Sequence, residues 1–148
     1  MDGTQIDRTL RKRCRNYIGT YAIDMLPRLM KYNYPVIMVI NLDDSSKGGS
    51  HWVALAIGLD GRSLYFDSFG RTPPKLILEY MKYYSRYQAY NDARLQSVIS
   101  NVCGFYVIFF SLCMDRGLGL NYMLKRFTTF DTSLNDTLVH RHICNLLL

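Results

Sequence analysis

Four side chains have the types that catalysis by a thiol demands: His51, Asp67, Gln96 and Cys103. Such chemistry needs a thiolate, a base to make it, a group to orient that base, and donors for the oxyanion formed on attack. Cys103 opens an almost wholly apolar run, Cys-Gly-Phe-Tyr-Val-Ile-Phe-Phe-Ser-Leu-Cys-Met, ending at residue 114. At the N-terminus of a helix, unpaired N–H groups and the helix dipole favour the thiolate. Gly104 leaves the backbone beside the sulfur uncrowded. Gln96, seven residues upstream of Cys103, can set its side-chain NH2 beside the Cys103 backbone N–H as an oxyanion hole.

Taken singly, each residue has a blander reading. A lone histidine is usually a surface residue, a cysteine on an apolar helix is usually core, and Asp67 in Phe66-Asp67-Ser68-Phe69-Gly70 can cap a turn. Cys113 and Cys144 read as core, and His140 and His142 as structural or surface residues of a final helix. Trp52 is expected to pack against the imidazole of His51.

The elements that must position these groups follow from pattern. Residues 5–16 read as a basic helix, with Ile6, Leu10 and Cys14 on one face. Residues 17–21 form a turn or short extended piece, and 22–32 are helical or irregular, broken at Pro27. Val36 to Ile40 is a β-branched run that predicts a buried strand. The loop 41–50 ends in Gly48-Gly49-Ser50. Runs 52–57 and 63–66, joined by Gly58-Leu59-Asp60-Gly61, predict a hairpin. His51 and Asp67 then lie side by side at its open end. A helix over 73–84 begins at a proline that loses no hydrogen bond there; 87–96 is a further strand entering a loop. Residues 103–114 are long for a strand and predict a buried helix, and 133–147 a last one. The fold class is α+β: one domain over 1–148, a small mixed or antiparallel central sheet, a buried helix with the catalytic cysteine at its N-terminus, and flanking helices.

Composition sets the class. With 148 residues, 49% of them apolar and 20% charged, the chain suits one globular domain and not a disordered segment. No apolar run is long enough to cross a bilayer, and the N-terminus lacks the apolar stretch of a signal peptide, so a soluble, unsecreted protein is expected. Cys14, Cys103, Cys113 and Cys144 show no CxxC pairing, which speaks against a zinc site or a disulfide framework and for free thiols. The net charge of +6 gathers in Arg8 to Arg15 and again from Lys75 to Arg94 among tyrosines. That pattern suits a polyanion or, more plainly, a solvated surface.

In chain order, His51-Trp52, Asp67, Gln96 and Cys103-Gly104 resemble the adenovirus protease family, relatives of the SUMO-specific proteases. Papain-like enzymes run Cys, His, Asn. Further likeness lies in Ile18-Gly19-Thr20-Tyr21, Val39-Ile40-Asn41, Gly48-Gly49-Ser50-His51-Trp52-Val53-Ala54 and Tyr65-Phe66-Asp67-Ser68-Phe69-Gly70. It covers about residues 17 to 113. The resemblance implies a cysteine endopeptidase with Cys103 as nucleophile, His51 as base and then acid, and Asp67 as its orienter. Gln96 and the Cys103 N–H would hold the oxyanion.

It also implies precursor capsid or core polypeptides as substrates, cut at Gly-containing sites, in a cleft lined by Gly48, Gly49 and Trp52. Location in virion and host nucleus follows, or within the cell for an endogenous element, with a monomer and no membrane expected. The chemistry calls for no cofactor, although DNA and a viral peptide are possible activators. Several features depart from the adenovirus enzymes. Asp67 stands where the human ones carry Glu. No cysteine lies between Asp67 and Cys103 to take a disulfide-linked peptide. The tail after Cys103 is shorter. Ala22-Ile23-Asp24-Met25-Leu26-Pro27 looks closer to Maverick/Polinton and adintovirus proteases. The competing readings are a deconjugase of a ubiquitin-like modifier, which would usually carry Asp where Val102 stands, and a non-catalytic basic DNA-binding virion protein.

Overall fold

Every side chain from Val36 to Asn41 is buried, as in a strand covered on both faces. It is β2 of a five-stranded sheet in the order β1-β2-β3-β4-β5. The structure, a computed structural model, describes residues 1–30, 34–46, 51–58 and 60–148. The strands are β1 (Tyr17–Ala22), β2 (Val36–Asn41), β3 (Trp52–Ile57), β4 (Arg62–Phe66) and β5 (Tyr87–Tyr90). β2, β3 and β4 pair antiparallel, while β1 and β5 pair parallel at the two edges. A parallel neighbour requires a crossover, and helix α2 (Lys75–Tyr84) makes the one between β4 and β5.

The period-2 alternation of strands divides the core into two layers. Val36, Met38, Ile40, Val53, Leu55 and Tyr65 face Ile77 and Met81 of α2. Ile37, Val39, Ala54 and Phe66 face the other helices: α1 (Gly3–Arg13), α3 (Cys103–Asp115), α4 (Gly119–Leu124) and α5 (Thr132–Leu147). α3 is apolar around nearly its whole circumference and largely buried, as a helix enclosed by other elements must be. Small Ala54 and Ala56 on β3 let it lie close to the sheet, and Phe110 stacks on Phe66 with ring centroids 5.2 Å apart.

The α+β fold, the hairpin, the buried helix over Cys103 and the last helix agree with expectation. Four details are sharpened or changed. Residues 17–21, expected as a turn or short extended piece, are extended, part of strand β1, whose parallel pairing to β2 is a long-range contact that no local pattern announces. α1 starts earlier and stops at Arg13, because Asp2 and Gln5 form a capping box and Cys14 leaves the helical conformation. Residues 23–25 make only a 3-10 turn, and α4 had no periodic signal in so short a segment. Lys31 to Asn33, the Gly48-Gly49-Ser50 stretch and Leu59 of the hairpin turn lie outside the described residues.

The turn after β4 is closed by the Gly70 N–H donating to the Asp67 carbonyl at 2.8 Å. Gly70 has φ +71°, and a Cβ there would stand 2.7 Å from the Ala93 carbonyl carbon. Gly117 has a similar φ of +72° but open space around it. Gly117→Ala should therefore cost about 1–2 kcal/mol for the left-handed backbone alone. Gly70→Ala should cost about 3 kcal/mol or more, since crowding adds to strain. Urea unfolding of both variants tests this. Equal costs would mean that the turn does not press on the 93–94 backbone.

Candidate active site

The β3–β4 register pairs Ala54 with Phe66, so the residue before β3 and the residues after β4 emerge at the same end of the sheet. His51 and Asp67 are those residues, 7% and 1% exposed. His51 Nε2 lies 2.7 Å from Asp67 Oδ1. A carboxylate can only accept, so Nε2 carries the hydrogen. That leaves Nδ1 for the second neighbour of the ring, the Cys103 thiol, whose interaction with the imidazole favours the charged form of both groups. Cys103 is the first residue of α3, whose preceding Val102 supplies no side-chain cap. The N–H groups of Cys103 and Gly104 at the helix start are thus left without a capping side chain. The backbone N–H groups of Trp52 and Gly104 favour the thiolate.

Electrostatics follow from these contacts. Burial disfavours the imidazolium of His51, but hydrogen bonds to Asp67 and to Cys103 outweigh it and raise the pKa to about 9. Burial likewise disfavours the Cys103 thiolate, yet the bond to His51 and the N–H groups of Trp52 and Gly104 bring its pKa below the ordinary value. The two shifts point the same way, toward a thiolate–imidazolium pair. The other deeply placed thiols move oppositely: burial pushes Cys14 up to about 12 and also raises Cys113.

Asp67 is held from several sides. Its Oδ1 also accepts from the Phe69 N–H at 2.8 Å. Its Oδ2 accepts no hydrogen bond among the described residues, and its countercharge is Arg71, whose Nε stands 3.4 Å away. Its backbone exchanges two hydrogen bonds with the Asn91 side chain: Asp67 N–H to Oδ1 at 3.0 Å, and Nδ2 to the Asp67 carbonyl at 2.6 Å. The Arg71 guanidinium lies 4.9 Å over the Phe69 ring, and Phe69 stacks on the imidazole at 4.8 Å.

Gln96, 1% exposed, is tied to the same turn. The Ser68 carbonyl accepts from the N–H groups of Leu95 and Gln96, and the Ser68 hydroxyl donates to Gln96 Oε1 at 2.6 Å. This orients the amide so that Nε2 donates to the Ser100 carbonyl at 3.0 Å and meets the Ser100 hydroxyl at 3.1 Å.

His51, Asp67 and Cys103 are thus brought together, with Gln96 anchored to the acid-bearing turn and to the approach to Cys103. Three expectations change. The ring on the imidazole is Phe69, whereas the Trp52 indole lies over Gly3, where an added Cβ would stand 2.9 Å from it. Gly104 has a packing reason besides an open sulfur: a Cβ there would crowd Met1 and Ile6 at 3.2 and 3.3 Å. Cys144 is only half-buried, within 3.8 Å of His140. His140 and His142 pack on Phe105 and Phe109, in keeping with structural roles.

Ser68, Phe69, Arg71 and Asn91 were not singled out from sequence. Ser68 and Phe69 sit in the motif around Asp67 and Arg71 four residues beyond it, but Asn91 carries no local signal. Among the described residues no group of three or more His, Cys, Asp or Glu side chains is placed to hold a metal ion, and no helix is long and apolar enough to cross a membrane.

No family model and no curated protein matches the chain. Solved structures do. The ASFV pS273R protease matches over 93% of this chain with a TM-score of 0.65 at 17% identity. The SUMO protease Ulp1, with its catalytic cysteine oxidized to a sulfinic acid, matches over 95% with a TM-score of 0.53 at 16% identity. The chain has the fold of these cysteine proteases. It spans 65% of the length of the first and 78% of the second.

Within that fold the thiolate pair has a direct signature. Iodoacetamide should alkylate Cys103 at lower pH than Cys14 and Cys113, whose thiols burial pushes up, as read by peptide mass spectrometry across pH. Asp67→Asn removes an anion that favours the imidazolium, so the Cys103 profile should move to higher pH. An unchanged profile would show that Asp67 does not support the pair.

Proposed function

We propose that the protein is a cysteine endopeptidase in which Cys103 is the nucleophile, His51 the base and acid, Asp67 the orienter, and Gln96 with the Cys103 N–H the oxyanion hole. The observation that carries this reading is the doubly engaged imidazole: Asp67 at 2.7 Å on Nε2, and the thiol at the helix N-terminus on the other nitrogen.

The Cys103 thiolate attacks the scissile carbonyl carbon, and the carbonyl electron pair moves onto oxygen. Gln96 Nε2 has two hydrogens, so the oxyanion replaces the Ser100 hydroxyl as one of its partners. As the intermediate collapses, His51 gives its Nδ1 proton to the departing amine and a thioester remains. His51, now neutral, takes a proton from water as that water attacks the thioester, and the acid product leaves. The thiolate–imidazolium pair returns.

The substrate class we infer is precursor polypeptides of a virus or virus-like element, cut beside glycine. Supporting it are the adenovirus-protease resemblance and the likeness to a viral protease. The net charge of +6 supports DNA as an activator or track, and with Arg11 held by Asp7 at 2.7 Å and Arg13 by the Leu146 carbonyl, Arg8, Lys12 and Arg15 remain on the same segment. A location in virion and nucleus and a monomeric state belong to this reading. The second reading, a deconjugase of a ubiquitin-like modifier, is favoured by the match to 78% of Ulp1; Val102 ahead of the nucleophile favours the first.

Fluorogenic peptides ending in Leu-Xaa-Gly-Gly, set against SUMO and ubiquitin fusions, separate the two. Peptide turnover should vanish in Cys103→Ala and fall roughly 100-fold or more in kcat for Gln96→Ala with KM little changed. DNA should stimulate it in a salt-sensitive way. Turnover that survives Cys103→Ala would end the thiol mechanism. Turnover of the fusions alone would favour the deconjugase.

Ser68→Ala frees the Gln96 amide from one anchor and should lower kcat, with Ser68→Thr restoring part of it. A change confined to KM would deny Ser68 an orienting role.

A further inference from the structure

The far end of α3 carries a second concavity, separate from the thiol at its start. α3, α4 and α5 converge there on a pocket of about 430 Å3, within the range of roughly 300–1,000 Å3 that suits small molecules. Its lining is apolar in Phe109, Cys113, Phe127, Leu138 and Val139, and three exposed arginines stand in it: Arg116, Arg126 and Arg141.

Nothing acidic lines the pocket, and no ion pair holds any of the three arginines among the described residues. The nearby carboxylates are engaged elsewhere. Asp115 accepts from the backbone of Arg15 and Asn16, Asp136 from Tyr106 and Ser97, and Asp131 caps α5. Arg126 is pre-positioned, its guanidinium 4.1 Å over the Tyr122 ring. Burial raises the Cys113 thiol in this pocket, but the charges of Arg116 and then Arg126 pull against it. Three like charges over an apolar floor repel one another unless an anion joins them.

We propose that this pocket binds a small amphipathic anion, with a phosphate or carboxylate head held by Arg116, Arg126 and Arg141 and an apolar body on Phe109, Phe127 and Leu138. Guanidinium groups suit such heads because they pair with them bidentately. The site lies beyond the proposed catalytic centre and does not depend on that reading.

Isothermal titration with octyl phosphate, below its micelle concentration, tests this on the whole chain. Wild type should bind octyl phosphate more tightly than inorganic phosphate or octanol. The exposed double variant Arg126→Gln/Arg141→Gln should bind it at least about tenfold more weakly, and Cys103→Ala should bind as wild type. Unchanged affinity in the double variant would overturn the proposal. So would equal binding of inorganic phosphate, which needs no apolar floor, or of octanol, which needs no cation. Sedimentation with phosphatidate vesicles without binding of the monomeric amphiphile would also overturn it, since a bilayer would then be the ligand.

Discussion

A buried imidazole held by Asp67 beside the Cys103 thiol is the constraint around which this fold is arranged. Left alone, burial would strip His51 of its proton and return Cys103 to a neutral thiol, because desolvation opposes both charges. Asp67 on one side and Cys103 on the other oppose that effect and shift both groups toward their charged forms. The pair exists only while three separate pieces of chain stay in register: the start of β3, the end of β4 and the first turn of α3.

Each piece is held by a different kind of force. Antiparallel pairing of β3 with β4 brings His51 and Asp67 to one end of the sheet. Apolar packing seats α3 on the sheet, through Phe110 on Phe66 and the small side chains of β3. Hydrogen bonds then fix the turn after β4. Asn91 holds the Asp67 backbone, Ser68 holds Gln96, and Gly70 lets the turn lie against the 93–94 backbone. The turn thus links the acid to the residue proposed for the oxyanion hole. A disturbance at residues 68–70 reaches both.

The sequence made some of this legible for clear physical reasons. The antiparallel hairpin could be read from its two strand-like runs and the glycine-flanked turn, and it dictates that residues 51 and 67 meet. The length and uniform apolarity of the run after Cys103 announced a buried helix. What escaped depended on partners distant in the chain. β1 exists through its pairing with β2, and Asn91 acts through a backbone 24 residues away. The ring on His51 was assigned to adjacent Trp52, yet cross-strand geometry brings Phe69 there, while the indole is drawn to the close approach of Gly3 on α1. Cys144, read as core from its apolar neighbours, sits half-buried on a helix only partly covered by the rest of the domain.

The most direct test of the proposed centre is covalent trapping at neutral pH with a peptide that ends in a glycine vinyl methyl ester, followed by mapping of the adduct. A single adduct on Cys103, lost in His51→Ala while Cys14, Cys113 and Cys144 stay unmodified in both proteins, is the predicted result. An adduct that persists on Cys103 without His51, or that spreads to the other thiols, would contradict the claim that the doubly engaged imidazole makes Cys103 the nucleophile.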